Sequence, residues 1–199
     1  METPDSIHAF WFGDGADDAQ RAAARSKLWW SKDPAVDTEL RRRFGPWLER
    51  AAAGALDDWL ATPPGRLALI LLTDQIPRAI HRGTPRAFDF DALARRWCEE
   101  GIAARQDVVL PLLERVFFYL PLEHSESLAD QDRAVALFRS LAQAAPAAAR
   151  RTFDDFLDHA LRHRDVIARF GRFPHRNAVL GRASTVHELA FLAEPGSSF

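Results

Sequence analysis

The stretch RLALILLTDQIPRAI, residues 66–80, is apolar nearly all round for its first two turns and then turns polar at Thr73, Asp74 and Gln75, just ahead of Pro77. A surface helix carries one apolar stripe, whereas a helix apolar on every face belongs inside, so this segment is predicted as a central buried helix. Around it Val, Ile, Thr and Tyr are sparse while Ala, Leu and Arg dominate, which favours helix over strand along the whole chain. The expected fold is therefore all-α, with short turns joining antiparallel helix pairs stacked as a bundle or short solenoid. Polar groups at the end of an apolar helix must be paired, either with one another or with a ligand. Asp74, Gln75, Arg78 and Arg82 are thus candidate ligand-binding residues. Pro77 adds to this by depriving the Thr73 carbonyl of its usual donor.

Working outward, Asp5 is a plausible N-cap for a short helix through residue 12, stopped by the Gly13–Asp14–Gly15 turn. A second helix spans 17–30. Pro34 suits the first turn of a third, in which Val36, Leu40, Phe44, Trp47 and Leu48 recur at spacings of three and four and should face the core. An Ala-rich segment, 51–60, is interrupted by Gly54 and leads to a break at Pro63–Pro64–Gly65. Beyond the central helix, Asp89 or Asp91 opens a helix through 105, and another covers 112–120, where Pro121 either kinks it or begins a new turn. Residues 125–144 and 147–170 form two further amphipathic segments, with Ser125 a candidate cap for the first. Thr185 and Glu188 form a capping-box pattern for a last helix through 193. Residues 1–199 are expected to form a single domain, with 195–199 a frayed tail. No clean period of 33–47 residues supports a repeat array.

Composition narrows the function classes. The 199 residues are 47% hydrophobic and 27% charged, ordinary globular usage, and the formal net charge of −2 argues against a general nucleic-acid binder. Cys98 is the single cysteine, which excludes an intramolecular disulfide and a thiolate zinc cluster and makes the cytoplasm the natural expectation. The segment METPDSIHAFWFGDG lacks the basic and apolar regions of a signal peptide. The longest apolar run, 67–72, falls far short of the ~20 residues of a spanning helix, so no membrane partner is expected. Phe10, Trp11, Phe12, Trp29, Trp30, Phe44, Trp47 and Trp59 could line a pocket but are first of all core residues.

A second informative stretch is HRDVIARFGRFPHRN, residues 163–177. From His159 to Arg182 there are six arginines and one acid, whereas PLEHSESLADQD, residues 121–132, holds four acids and no Arg or Lys. The simplest reading sets these segments against each other, with Arg–carboxylate forks tying helix to loop. Gly171 looks like the left-handed residue ending a helix, and Pro174 keeps the chain extended beyond it. Arg172, His175, Arg176 and Asn177 can then converge from a loop, where guanidinium forks read a carboxylate or phosphate and imidazole exchanges a proton near neutral pH. His159 and His163, four residues apart, share a helix face, but no zincin glutamate stands between them and no third ligand is dictated, so no metal site is assigned. Arg162, Asp165 and Arg169 fit an intrahelical ion-pair ladder. A Ser125–His124 nucleophilic pair is disfavoured, since adjacent side chains do not normally aim at one point.

The blocks FWFG, DQIPRAIHRGTPRAFDFD, FFYLPLEHSESLADQD, HRDVIARFGRFPHRNAVLGRAST and ELAFL together resemble the bacterial family catalogued as domain of unknown function 924, from Ile7 to Leu192. The resemblance implies a tetratricopeptide-like helical fold but no reaction and no cofactor. Its signature positions fall on Trp11, Phe12, Asp74, Gln75, Pro77, Arg78, Arg82, His124, Ser125, Glu126, Gln131, His163, Arg164, Asp165, Arg172, His175, Arg176, Asn177 and Arg182. Where the family usually reads DQFPRN, this chain has Ile76 and Ala79, and His159 lies outside the signature.

The leading expectation is a site that binds a small anionic metabolite or peptide carboxylate through Asp74, Gln75, Arg78, Arg82, Gln131, Arg172, Arg176 and Asn177. The alternative is an acid–base hydrolase or lyase acting on a small ester, amide or phosphorylated metabolite, with His124, Glu126, His163 and His175 as candidates. A third is a helical scaffold gripping a protein partner along a concave face. Oligomeric state and cofactor are left open by the sequence.

Overall fold

In the computed structural model, which describes residues 1–15 and 17–197, the central apolar segment is indeed buried, and the rest of the chain is wound around it. In chain order the α-helices are α1 (Pro4–Phe12), α2 (Asp18–Trp30), α3 (Pro34–Ala52), α4 (Pro63–Ile70), α5 (Ile76–Ile80), α6 (Asp91–Ala103), α7 (Leu112–Glu123), α8 (Leu128–Ala144), α9 (Arg150–Phe170) and α10 (Val186–Leu192). Among the described residues there is no strand, so the protein is all-α.

Leu67 to Leu72 are all fully buried, and so are Leu40, Phe44 and Leu48 of the predicted α3 stripe, while Val36 and Trp47 pack at its edge. Opposite them, α7 contributes Leu113, Val116, Phe117, Phe118, Tyr119 and Leu122. Helices α8 and α9, joined by a short turn, pack closely along each other, and α7 packs on α8. Burying a Leu or Phe side chain stabilises by about 1.5–3 kcal/mol, so this shared interior is the main source of stability. A smaller apolar cluster of Val166, Ile167 and Phe173 forms where α9 gives way to the C-terminal loop.

Three local boundaries differ from expectation, each for a definable reason. Thr3, not Asp5, caps α1, because Pro4 occupies the first helical position and Thr3 and Ser6 bond each other's backbone reciprocally. Pro63 and Pro64 are not a break but the first turn of α4, where a missing N–H costs nothing, and the Thr62 hydroxyl accepts from the Gly65 amide. Ser127 rather than Ser125 caps α8. Asp91 opens α6 as expected, and its carboxylate is engaged by Arg78.

The junction of α4 and α5 matters most. Residues Leu71–Gln75 form a π turn, and the Ile76 amide reaches back to the Leu71 carbonyl. The widened turn lets the chain pass Pro77 without losing its direction, and the Thr73 hydroxyl donates to the Leu69 carbonyl at 2.8 Å. Such single π turns disturb the regular side-chain spacing. Here Asp74 and Gln75 are both buried at the point where α4 would otherwise continue. α7, in contrast, runs through Pro121 to Glu123 without interruption. Of the predicted tail, residues 198–199 lie outside the described residues, and the Ser197 hydroxyl donates to the Leu192 carbonyl.

Candidate functional site

The π turn, the C-terminal end of α7, the middle of α9 and the loop after Gly171 meet around one cavity of about 850 Å³. Its apolar and aromatic lining comes from Trp29, Trp30, Leu40, Phe138 and Phe156, and its polar lining from Gln75, Arg78, Glu123, His124, His163, His175 and Arg176. Arg82, Asp37 and Lys32 also line it, and Arg82 is held by a two-pronged bond to Asp37, both contacts 2.9 Å.

Asp74 is the innermost charge. Its carboxylate has no exposed surface, receives the Gln75 amide, and lies 2.7 Å from His124 Nδ1 and 3.5 Å from Arg78 Nη2. Burial opposes its ionisation, yet His124 and Arg78 pull its pKa down from 3.8 to about 2. An ionised carboxylate only accepts, so His124 Nδ1 carries the proton and Nε2 holds the lone pair. Burial and the nearby Arg78 charge keep His124 below its ordinary 6.5, so the imidazole is neutral at neutral pH. Arg78 in turn forks onto Asp91 at 2.8 and 3.1 Å.

Glu123 precedes His124 on α7 and is nearly as buried. Burial, reinforced by Asp74, pushes its pKa up from 4.5 to about 8, so the carboxyl is protonated at neutral pH. His163 Nδ1 lies 3.2 Å from Glu123 Oε1 and 2.9 Å from the His159 carbonyl. A carbonyl oxygen only accepts, which assigns the His163 proton to Nδ1. Burial and then His124 hold His163 well below its ordinary pKa, and His175 falls to about 4 through burial and the Arg176 charge. The cavity therefore gathers neutral imidazoles beside a neutral carboxylic acid.

Arg176 completes this polar lining. Its guanidinium is stacked between Phe88 and Phe173, 4.8 and 4.4 Å from their ring centres, and Nη1 donates to the His124 carbonyl at 3.1 Å. Only 7% of the residue is exposed, and burial and Arg78 lower its pKa to about 10, which still leaves it cationic. Asp91, 3.6 Å away, already serves both prongs of Arg78. Arg176 Nε has no hydrogen-bond partner among the described residues, and neither does Trp11 Nε1 across the same cavity.

The structure separates the predicted residues into two groups. Gln75, Arg78, Arg82, His124, His163, His175 and Arg176 line the cavity, with Asp74 directly behind His124. The others hold the chain around it. Gln131 donates to the carbonyls of Glu123 and Ser125, at 2.6 and 2.7 Å, pinning the end of α7. Glu126 accepts the Phe173 amide and both prongs of Arg182, whose Nε reaches Asn177 Oδ1. Asn177 also donates to Ser184. Arg172 forks onto Glu188 at 2.6 and 2.8 Å and lines a separate, shallower surface pocket. The expected meeting of acidic and basic segments is thus real at Glu126–Arg182 and Asp132–Arg164.

The sequence alone does not mark Glu123, Phe88 or Asp91 as site residues, and it ranks Trp11 first as a core residue that could also line a pocket. Glu123 has a visible signal, since it follows FFYLPL and ends an apolar helix, where a carboxyl is forced into low-dielectric surroundings. Phe88 and Asp91 reach Arg176 only through the tertiary fold.

A family model described as a bacterial protein of unknown function, DUF924, matches residues 7–196. A solved structure of a protein of unknown function, ATU0120 from Agrobacterium tumefaciens, is 38% identical with a TM-score of 0.80, and the match covers 96% of each chain. No curated protein matches the chain. Among the described residues no helix is long and apolar enough to cross a membrane.

Proposed function

Starting from a chain that belongs to the bacterial family of unknown function DUF924, we propose that its cavity binds a small anionic metabolite or peptide carboxylate that also carries an apolar body. The observation that carries this reading is Arg176: a buried cation, stacked between two phenylalanines on the cavity wall, whose nearest carboxylate is already engaged by another arginine. A buried charge left partly uncompensated is costly, and an anion entering the cavity supplies what the protein does not. Arg78, although its prongs are engaged by Asp91, adds positive charge to the same cavity, while Trp29, Trp30, Phe138 and Phe156 offer about the surface an aromatic or short acyl group needs.

The size of the cavity suits a metabolite or a peptide end rather than a folded partner. Protein freshly purified from its native host, extracted and analysed by mass spectrometry, is expected to release a small acid in near-stoichiometric amount, and the Arg176→Met variant is expected to release none. Equal recovery from both proteins would move the site elsewhere.

A further inference from the structure

We infer that this cavity is catalytic: His124, oriented by Asp74, is a general base that activates water, and Glu123 is the proton donor to the leaving group of an ester or amide whose other end is an anion held by Arg176. The inference rests on the proposed binding site and deepens it by naming the reaction and the substrate class.

Geometry and electrostatics both support it. The Asp74–His124 bond of 2.7 Å fixes the imidazole with its proton on Nδ1 and its lone pair on Nε2, the arrangement a base needs. Glu123, the last residue of α7, lines the same cavity as His124, and its Oε1 stands 3.2 Å from His163 Nδ1. Burial keeps Glu123 protonated and His124 neutral at the same pH, which divides the two roles between them. The cavity-lining hydroxyls, Ser26, Ser31 and Thr152, lie on α2, after it and on α9, and His124 is bonded to none of them, which favours water over a protein nucleophile.

The step balances without a further reagent. A water oxygen forms a bond to the carbonyl carbon while its proton passes to His124 Nε2, and the carbonyl electron pair moves onto oxygen. As the tetrahedral carbon collapses, its bond to the leaving oxygen or nitrogen breaks, and Glu123 delivers its proton there. The products are a carboxylic acid and an alcohol or amine. The proton on His124 then returns through solvent to Glu123. Arg176 anchors the remote carboxylate, so its binding energy places the carbonyl between the two groups.

The test uses two probes, 4-nitrophenyl hydrogen adipate as an anionic chromogenic ester, and 6-(4-nitrophenoxy)hexanoate as an ether of the same shape that cannot be cleaved. Wild-type protein is expected to release nitrophenolate catalytically, His124→Gln to lose at least about a hundredfold in kcat while remaining folded by circular dichroism, and His187→Ala, an exposed control, to match wild type. Glu123→Gln is expected to lose less on this ester, whose leaving group needs little protonation, and more on the corresponding anilide. If the ether binds wild type but not Arg176→Met, and the ester is turned over no faster than with His124→Gln, the catalytic inference is overturned and the binding site stands. If neither probe binds, both readings fall.

Discussion

His124 Nδ1 lies 2.7 Å from Oδ1 of Asp74, a residue 50 positions earlier in the chain and without exposed surface. The pair joins the π turn after α4 to the end of α7, so one hydrogen bond both locks two helices together and sets the tautomer of an imidazole on the cavity wall.

Asp74→Asn is expected to remove that control. The amide can accept or donate, so His124 will populate both tautomers, visible as a change in its ring nitrogen shifts by NMR. With Arg78 losing a buried counter-charge and His124 its charged acceptor, unfolding free energy should fall by about 3–5 kcal/mol. Unchanged ring shifts would show that Asp74 does not govern the imidazole.

Glu123 gives a stability signature of definite sign. Its folded pKa of about 8 lies above its ordinary 4.5, so the native state binds more protons than the unfolded chain between those values. Stability therefore declines as pH rises through that interval and levels off beyond it. Glu123→Gln should flatten this decline, and urea unfolding at pH 5 and pH 9 should show the variant gaining on wild type at the higher pH. His175 acts in the opposite direction. Its pKa is lowered from 6.5 to about 4, so the associated stability is full above 6.5 and is lost as pH falls toward 4. His175→Phe should soften that acid limb.

Glu126→Gln tests the framework rather than the cavity. Glu126 holds the Phe173 amide and both prongs of Arg182, and Phe173 is one of the two rings stacked on Arg176. The groups are partly exposed, so a loss of about 1–2 kcal/mol is expected in denaturant unfolding. Ligand affinity should weaken only modestly, because Arg176 keeps its bond to the His124 carbonyl.

Gly171→Ala isolates the turn that launches the C-terminal loop. Gly171 ends α9 at φ 68°, and a Cβ there would meet nothing within 4 Å. The whole cost is backbone strain, expected at about 1 kcal/mol in thermal or urea unfolding. A much larger loss would mean that the loop depends on contacts beyond that turn.

Much of this architecture is legible in the sequence because local chemistry dictates it. The apolar 66–80 segment, the α3 stripe, the Thr185–Glu188 capping box and the Gly171 stop all express spacing or backbone preference, and all are present. The π turn is not legible, since it falls where the run that is apolar all round gives way to polar residues, and no stripe is left there for an inserted residue to shift. Of the polar residues, sequence proximity to a site could not separate His124, which faces the cavity, from Gln131, which ties backbone carbonyls beneath it. Nor could it show that Arg172 is engaged by Glu188 while Arg176, four positions on, is not so neutralised. Those distinctions are made by which carboxylate the fold brings within reach.

Whether Arg176 holds an anion in this cavity is decided by calorimetric titration of wild-type protein and Arg176→Met with benzoate, N-benzoylglycine and phenyl phosphate. Methionine keeps apolar volume between Phe88 and Phe173 while removing the charge. Saturable binding of at least one of these acids to wild type is expected, with a loss of tenfold or more in the variant and its fold retained. Binding of none of them, or equal binding to both proteins, would contradict an anion site at Arg176.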